Sequence, residues 1–396
     1  MTSRYLELGV DAHKRGVELF EELIENVAPY AFATVIREPG SNEGIILHVD
    51  GAGSKPIVAY LYHMENGETR WYRGLAQDVV AMNIDDIMAV GAEPVAFADY
   101  IALNTLRLPK RDVISELCQG FKEVFDLLSR AEDEVNFKLR PIFAGGETAD
   151  LPDQIRTLDV VGFILGKVKL ERAIKGDKIP EGTLIVGLRS GGKAKYERRE
   201  NSGIMCNGIT LARHCLLSKE YAERYPEICD SRSKDYFGRY RVDDYLDELD
   251  MTIGEALLSP TRVYAPIIAK ILEVLADHVR GMVHNTGGGL TKSLRLGNGL
   301  RYIKDSLPPP DPIFLIIQRE GRISWREMYE TFNMGIGFEV LVDEEAVDEV
   351  INIAESYGVE AYVIGKVEKG TPNLNEVIVR SERGTFVYKR RPSGST

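Results

Sequence analysis

The run Gln-Asp-Val-Val-Ala-Met-Asn-Ile-Asp-Asp-Ile-Met-Ala-Val-Gly-Ala-Glu-Pro at residues 77–94 constrains this chain more than any other stretch. It predicts a helix of about three to four turns, stopped by Gly91 at the C-cap and by Pro94 just beyond. Val80, Ile84 and Ile87 stand at i, i+4 and i+7 and make one apolar face. At about 100° per residue, Asp78, Asp85 and Asp86 gather on the roughly opposite side. The pattern therefore predicts a helix that packs by one side and presents carboxylates from the other. Three acids with no Lys or Arg between them repel one another, a cost that a cation among them removes. Taken alone, the plainer reading is an acidic face in solvent; the segments that follow favour a metal.

At 396 residues the chain is too long for one ordinary core, so two domains are expected. The boundary falls in the polar, turn-rich stretch 169–182, which divides the chain into 1–175 and 176–396. No apolar run approaches the ~20 residues needed to span a bilayer. The first residues, Met-Thr-Ser-Arg-Tyr-Leu-Glu, lack the apolar core of a signal peptide. Cys118, Cys206, Cys215 and Cys229 show neither CxxC pairing nor zinc spacing, so reduced thiols in a cytoplasm are expected. A net charge of −12 argues against a nucleic-acid footprint and favours cation-assisted handling of small anions.

Hydrophobic periodicity supplies the other elements. Val17, Phe20, Ile24 and Val27 predict one amphipathic helix within residues 1–30. Residues 44–49, 95–103 and 158–168 read as strands, 141–144 as a buried strand and 111–130 as a helix. After the boundary, residues 183–188 open a second set. It comprises a helix at 263–279, strands at 313–317 and 337–342, a helix at 345–357 and a strand at 361–364. The charged stretches 193–201 and 219–250 are expected to be surface insertions, and the tail after Lys389 to be disordered.

Three glycine-containing segments stand out, the first two directly after predicted strands. Asp50-Gly51-Ala52-Gly53-Ser54-Lys55 offers backbone amides that approach an anion closely, and a lysine for a phosphate. It lacks the P-loop spacing, so by itself it reads as a tight turn. Gly145-Gly146-Glu147-Thr148 places Glu147 at a strand's C-terminal end, where open sheets present ligand groups, although a helix N-cap turn explains it equally well. His284-Asn285-Thr286-Gly287-Gly288-Gly289 puts a histidine beside a glycine-rich helix start able to bind anions. Asn207-Gly208 and the segment around Gly335 and Gly337 read simply as turns.

Taken in order, these segments resemble the aminoimidazole ribonucleotide synthetase family, the PurM type of phosphoribosylformylglycinamidine cyclo-ligase. The resemblance rests on Gly9-Val10-Asp11, the Asp50–Lys55 turn, Asp78 through Asp86 with Gly91-Ala92-Glu93-Pro94, and Asp99-Tyr100. It continues through Gly145–Thr148, Asn207-Gly208, Leu258 to Tyr264, His284–Gly289, Met328 to Gly337 and Gly365-Lys366-Val367. It implies an α/β (α+β) fold of two PurM-like domains and a homodimer whose N-terminal sheets share a barrel. It also implies ATP and Mg2+: ATP activates the formamide oxygen of formylglycinamidine ribonucleotide, and an internal nitrogen then closes the imidazole ring. Carried over residue by residue, it implies catalytic roles for Lys55, His284 and Glu147, and metal ligation by Asp50, Asp78, Asp86 and Glu147. Nucleotide contacts are implied for Asp50, Gly51, Gly53, Asp78, Gly145, Gly146, Asn207, Gly287 and Gly288.

The chain departs from the family in three places. A glycine-rich loop near the N-terminus has no counterpart in residues 30–44, and the family's His-Ser-Asn-Gly appears as Met205-Cys206-Asn207-Gly208. Asp85 stands where Asn is common. Two alternatives follow: a related ATP-dependent enzyme acting on another small acceptor, and a non-catalytic nucleotide-binding subunit. A selenophosphate-type enzyme requires a reactive cysteine near the N-terminus, and none precedes Cys118. The expected partners are a small nucleotide substrate and a second copy of the chain, with neither nucleic acid nor membrane.

Overall fold

Two hydrophobic sheets, one built before residue 170 and one after residue 183, organise the chain. The computed structural model describes residues 3–11, 16–230, 232 and 236–391. The first sheet contains β1 (Ile36–Arg37), β2 (Glu43–Gly51), β3 (Glu93–Leu103), β4 (Ile142–Asp150) and β5 (Leu158–Lys169), in the order β1-β2-β5-β3-β4. Its pairs are antiparallel except β3 with β4. With it come α1 (Arg4–Glu7), α2 (Lys55–Asn66), α3 (Arg73–Met88) and α4 (Lys110–Glu132).

The second part begins with β6 (Leu184–Arg189), the two-residue strands β7 (Gly191–Gly192) and β8 (Asn201–Ser202), α5 (Ile209–Leu216) and α6 (Glu220–Arg224). Next come the short pair β9 (Tyr245–Leu246) and β10 (Met251–Thr252), then α7 (Ile253–Leu258), α8 (Ala265–Leu275) and β11 (Val279–His284). The chain closes with β12 (Leu300–Lys304), α9 (Pro312–Gly321), α10 (Trp325–Thr331), β13 (Ile336–Val342), α11 (Val347–Ser356), β14 (Ala361–Lys369), β15 (Asn375–Ser381) and β16 (Gly384–Arg390). The large sheet runs β11-β13-β6-β14-β12-β15-β16, and every residue of its strand β13 is buried. The architecture is therefore mixed α/β, as expected.

The organising helix is α3, and its setting corrects the expected one. It packs against β2 and β5 on one side, α4 on another, and α8 of the second part on a third. Gly120 of α4 lets the two helices touch, because a Cβ there would lie 2.2 Å from the Arg73 carbonyl oxygen. Every residue from Asp78 to Met88 is buried, so the acids do not face solvent. A buried carboxylate must be paired or neutralised, and the partners are what make this helix informative.

Other expectations are also revised. The predicted N-terminal amphipathic helix is replaced, among described residues, by the four-residue α1 and a 3-10 segment at Val17–Leu23, while Phe20, Ile24 and Val27 are exposed. Residues 313–317 lie in helix α9, not in a strand. A short apolar run does not distinguish the two, and Pro312 at the first helical turn favours the helix. The strand at 141–144 was expected to be buried, but Ile142, Phe143 and Ala144 are exposed on β4, which is paired only with β3 at the sheet edge. Residues 392–396 of the tail lie outside the described residues, and β16 extends to Arg390.

The charged stretches are not surface appendages. Within 219–250, Tyr221, Tyr225, Ile228, Tyr236, Tyr240 and Val242 are buried. This segment grips α2: Glu65 bonds Tyr225 and pairs with Arg224 and Arg241, while the Tyr62 hydroxyl donates to the Val242 carbonyl at 2.9 Å. In the other stretch, Glu197 pairs with the fully buried Arg262 at 2.7 Å. Charge density in the sequence marks ion pairs, those of Glu65 joining the two parts and that of Glu197 lying within the second.

Candidate active site

Helix α3 aims two of its acids at the second half of the chain. Asp78 Oδ1 accepts from Lys55 Nζ, the Thr261 amide and the Thr261 hydroxyl, each at 2.7 Å. The Lys55 ammonium also donates to the Ser259 carbonyl at 2.5 Å, and its side chain is fully buried. An ammonium thus occupies the place where the sequence suggested a metal. One helical turn pair further on, Asp85 Oδ2 accepts the Tyr264 amide at 3.0 Å at the start of α8. Burial pushes the Asp85 carboxyl up to about 7, against the opposing pull of His284 and the amides of Tyr264 and Ala265.

The third acid faces the first sheet. Asp86 Oδ1 accepts from His284 Nδ1 at 2.7 Å and Asp86 Oδ2 lies 3.2 Å from His48 Nε2. Burial by itself raises the Asp86 carboxyl, but the two imidazoles outweigh it and hold it far below the usual carboxylate range. For His48, burial lowers the imidazole, yet the Asp86 carboxylate and the Asn83 bond at 2.9 Å bring the net shift upward. His284 ends β11 and is fully buried, and its Nε2 has no hydrogen-bond partner. Helix, first sheet and second sheet thus meet at one carboxylate. His48 was not among the expected site residues. It is the one polar side chain in the otherwise apolar run 45–49, and that was the available signal.

Beside this cluster, strand pairing sets two more carboxylates in one row. Asp50 on β2 and Asp99 on β3 lie on either side of Gly162 on β5, about 10 Å apart at the usual strand spacing. A Cβ on Gly146 would lie 1.7 Å from Asp99 Oδ1, so only glycine lets β4 pass this carboxylate. Burial raises the Asp99 carboxyl to about 6. Glu147, by contrast, is exposed on β4 opposite Tyr100, three strands and about 14 Å from Gly51. Within one chain Glu147 and the Asp86 cluster are not brought together.

The glycine-containing turns of the second part do converge. Asn207 donates to the Asn285 carbonyl at 2.6 Å, which ties its loop to the triple-glycine loop. Cβ atoms added at Gly208 and Gly289 would both collide with Phe332, so the two loops and the 328–337 segment share one contact point. Gly287 is exposed with open space around it, and Gly288 precedes a 3-10 segment, Gly289–Arg295, not the α-helix the sequence suggested. Beneath, Asn285 and Lys304 both bond Glu339 Oε1, at 2.7 and 2.5 Å, in a fully buried network.

Among the described residues, Asp50, Asp78, Asp86 and Glu147 do not form a ready metal cage. The set of three ligand-type side chains whose atoms lie within 4.8 Å of one another is His278, Asp343 and Glu345, where Arg280 already bonds Asp343. Asp78 and Asp86 are committed to protein donors. Magnesium carried with a nucleotide needs only one or two carboxylates beside phosphate oxygens. Asp50, half-buried at the end of β2, fits that lesser requirement.

The family models named AIR synthase related protein, N-terminal domain, and AIR synthase related protein, C-terminal domain, match residues 30–168 and 180–374. The chain belongs to the AIR synthase related family. A phosphoribosylformylglycinamidine cyclo-ligase of Methanocaldococcus jannaschii is 36% identical over 326 residues, covering 82% of this chain and 78% of that one. A protein of the same name from Pseudothermotoga lettingae is 34% identical, with 82% of each chain covered. Among solved structures, AaThiL complexed with AMPPCP and TMP shares the AIR synthase related fold at a TM-score of 0.54 and 12% identity, over 94% of this chain and 95% of that one.

Proposed function

We propose that this member of the AIR synthase related family is an ATP-dependent cyclo-ligase that closes the imidazole ring of formylglycinamidine ribonucleotide. The curated relatives carry that activity in their names across most of their length. The observation on which the reading stands is Asp86, held between His48 and His284 where glycine turns from both parts of the chain approach one another. We place the domain division at 175/176, in the interval between the family matches at residues 30–168 and 180–374.

Chemically, the γ-phosphoryl group of ATP passes to the formamide oxygen and ADP departs. An internal amidine nitrogen then attacks the activated carbon, the C–O bond breaks, and phosphate leaves with that oxygen as a proton is lost. Such transfer is catalysed by positioning and charge neutralisation. Magnesium, when bound, would neutralise charge on the phosphate oxygens, with Asp50 as its protein ligand. The amides around Gly51, Gly53, Gly145, Gly146, Gly287 and Gly288 line the nucleotide. His284 supplies the free Nε2 that exchanges a proton, and Asp86 fixes its tautomer. Lys55 holds the glycine turn by its tie to Asp78, and Asn207 joins the two loops.

The outward face of the first sheet carries Leu47, Val49, Phe163 and Ile142, all exposed. An apolar sheet face of this kind is normally covered, and a second copy of the chain covers it in the proposed homodimer. The test of function is release of ADP and phosphate with and without formylglycinamidine ribonucleotide. The reading predicts release that depends on that substrate; equal release without it selects a relative with another acceptor.

A further inference from the structure

Two arginines are buried almost completely, and the structure treats them differently. Arg262 is surrounded by acceptors: both Glu197 oxygens, at 2.9 and 2.7 Å, and the carbonyls of Arg189, Gly191 and Gly192. Arg213, only 2% exposed, has no carboxylate partner among the described residues. Its guanidinium donates to Ser54 Oγ at 3.3 Å and to the Tyr236 hydroxyl, and it lies over the Tyr236 ring. A buried cation without a counter-charge is costly. An anionic ligand removes that cost.

The space for such a ligand adjoins it. Arg213 lines a cavity of about 360 Å³ between the two parts of the chain, together with Ser54, Arg156, Thr157, Asp159 and Thr210. That volume is within the usual range for small-molecule sites. Ser54 Oγ and Thr210 Oγ1 lie 2.9 Å apart at the mouth of the glycine turn, so two hydroxyls stand beside the guanidinium. Arg156 is already engaged by the Cys229 carbonyl and by Asp230 at 3.2 Å. Glu227 and Asp230 also line the cavity, but they are paired with Arg107 and Arg156, which leaves Arg213 as the cation there without a carboxylate partner among the described residues. Asp159 is half-buried, its carboxyl raised by burial, and it lies beyond ion-pair distance of Arg213.

We propose that this cavity is the seat of the phosphoribosyl end of the substrate, with Arg213, Ser54 and Thr210 taking the phosphate monoester and Asp159 accepting from a ribose hydroxyl. A planar guanidinium flanked by hydroxyls suits a phosphate well. The glycine turn then separates two anion sites, the substrate phosphate on the Ser54 side and the transferring phosphate on the Asp50 side. This inference rests on the cyclo-ligase reading for the identity of the substrate, but not for the presence of a phosphate site.

The test has two arms on the full chain. In steady-state assays, Arg213→Met is expected to raise KM for formylglycinamidine ribonucleotide at least tenfold while KM for ATP stays within twofold, and Thr210→Val to do the same more weakly. In calorimetry, ribose 5-phosphate and, as a second probe, inorganic phosphate should bind the parent protein and lose at least tenfold in affinity to Arg213→Met. Circular dichroism and thermal melts confirm that each variant is folded. Preferential binding of ribose 5-phosphate supports the substrate seat; equal binding of inorganic phosphate reassigns the cavity to free phosphate. Unchanged binding and unchanged KM in both folded variants overturn the proposal. If the parent protein closes no ring yet binds ribose 5-phosphate through Arg213, only the cyclo-ligase reading fails.

Discussion

At the scale of single residues, the two neighbouring acids of α3 do opposite things. Asp86 is held ionised by His48 and His284, and Asp85 is driven toward the neutral form by burial. Asp86→Asn removes the carboxylate charge held between His284 and His48, and is expected to lower kcat by about 10²–10⁴-fold with Mg-ATP affinity little changed. Asp50→Asn is expected to do the reverse, weakening Mg-ATP binding about tenfold in calorimetry because it supplies the proposed metal oxygen. Equal effects of the two variants on affinity would count against this division of labour. The same residues set a pH dependence. The folded-state pKa of Asp85, about 7, lies above its ordinary 3.8, so the folded chain holds an extra proton between them. Stability from this group is therefore greatest at the acid end of that window and declines as pH rises through it. The raised His48 acts in the same direction, its contribution being present at low pH and lost as pH climbs through its folded value. Asp86, with its lowered pKa, loses its contribution only in strong acid and does not offset them. Thermal midpoints should fall as pH is raised from about 5 to 8, and the fall should be shallower in Asp85→Asn.

At the scale of elements, α3 works as a pin through both parts of the chain. Asp78 joins Lys55 of α2 to Thr261 ahead of α8, and all the groups involved are buried. Asp78→Ala leaves the Lys55 ammonium unpaired and should cost about 3–5 kcal/mol in denaturant unfolding, whereas Lys55→Met with Asp78→Leu should recover much of it. A strictly additive double variant would contradict the pairing. Glu65→Ala frees Arg224, Arg241 and Tyr225, and faster amide exchange in residues 220–246 is the expected sign, with a global cost of about 1–2 kcal/mol. These pairings mark the limit of what the sequence conveys. Strands β2, β3 and β5 and helix α4 were legible because their apolar patterns are local. The three acids of α3 were legible as a feature, but their partners lie up to 198 residues away, as between Asp86 and His284. Burial of Tyr221, Tyr236 and Val242 was hidden for the same reason, since charge near them looks like solvent exposure until Glu65 is in place. His48 was one polar residue in an apolar run, and Arg213 stood beside His214 in a short, largely apolar helix, signals too weak to separate a site from a packed core.

At the scale of the molecule, the first sheet is unfinished in a single chain. β4 is an open edge with Ile142 72% exposed, and Leu47 on the neighbouring face is 69% exposed. Light scattering at micromolar concentration should report a dimer, and Leu47→Asp with Val49→Lys should shift it to monomer with loss of activity; an active monomer would contradict the shared sheet. No helix among the described residues is long and apolar enough to cross a membrane. The central claim is that ATP activates the formamide oxygen of formylglycinamidine ribonucleotide, and it can be followed atom by atom. With oxygen-18 in that formyl group, phosphorus NMR of the released phosphate should show one labelled oxygen for each aminoimidazole ribonucleotide formed. Unlabelled phosphate, or ADP released with no ring closed, would contradict the account.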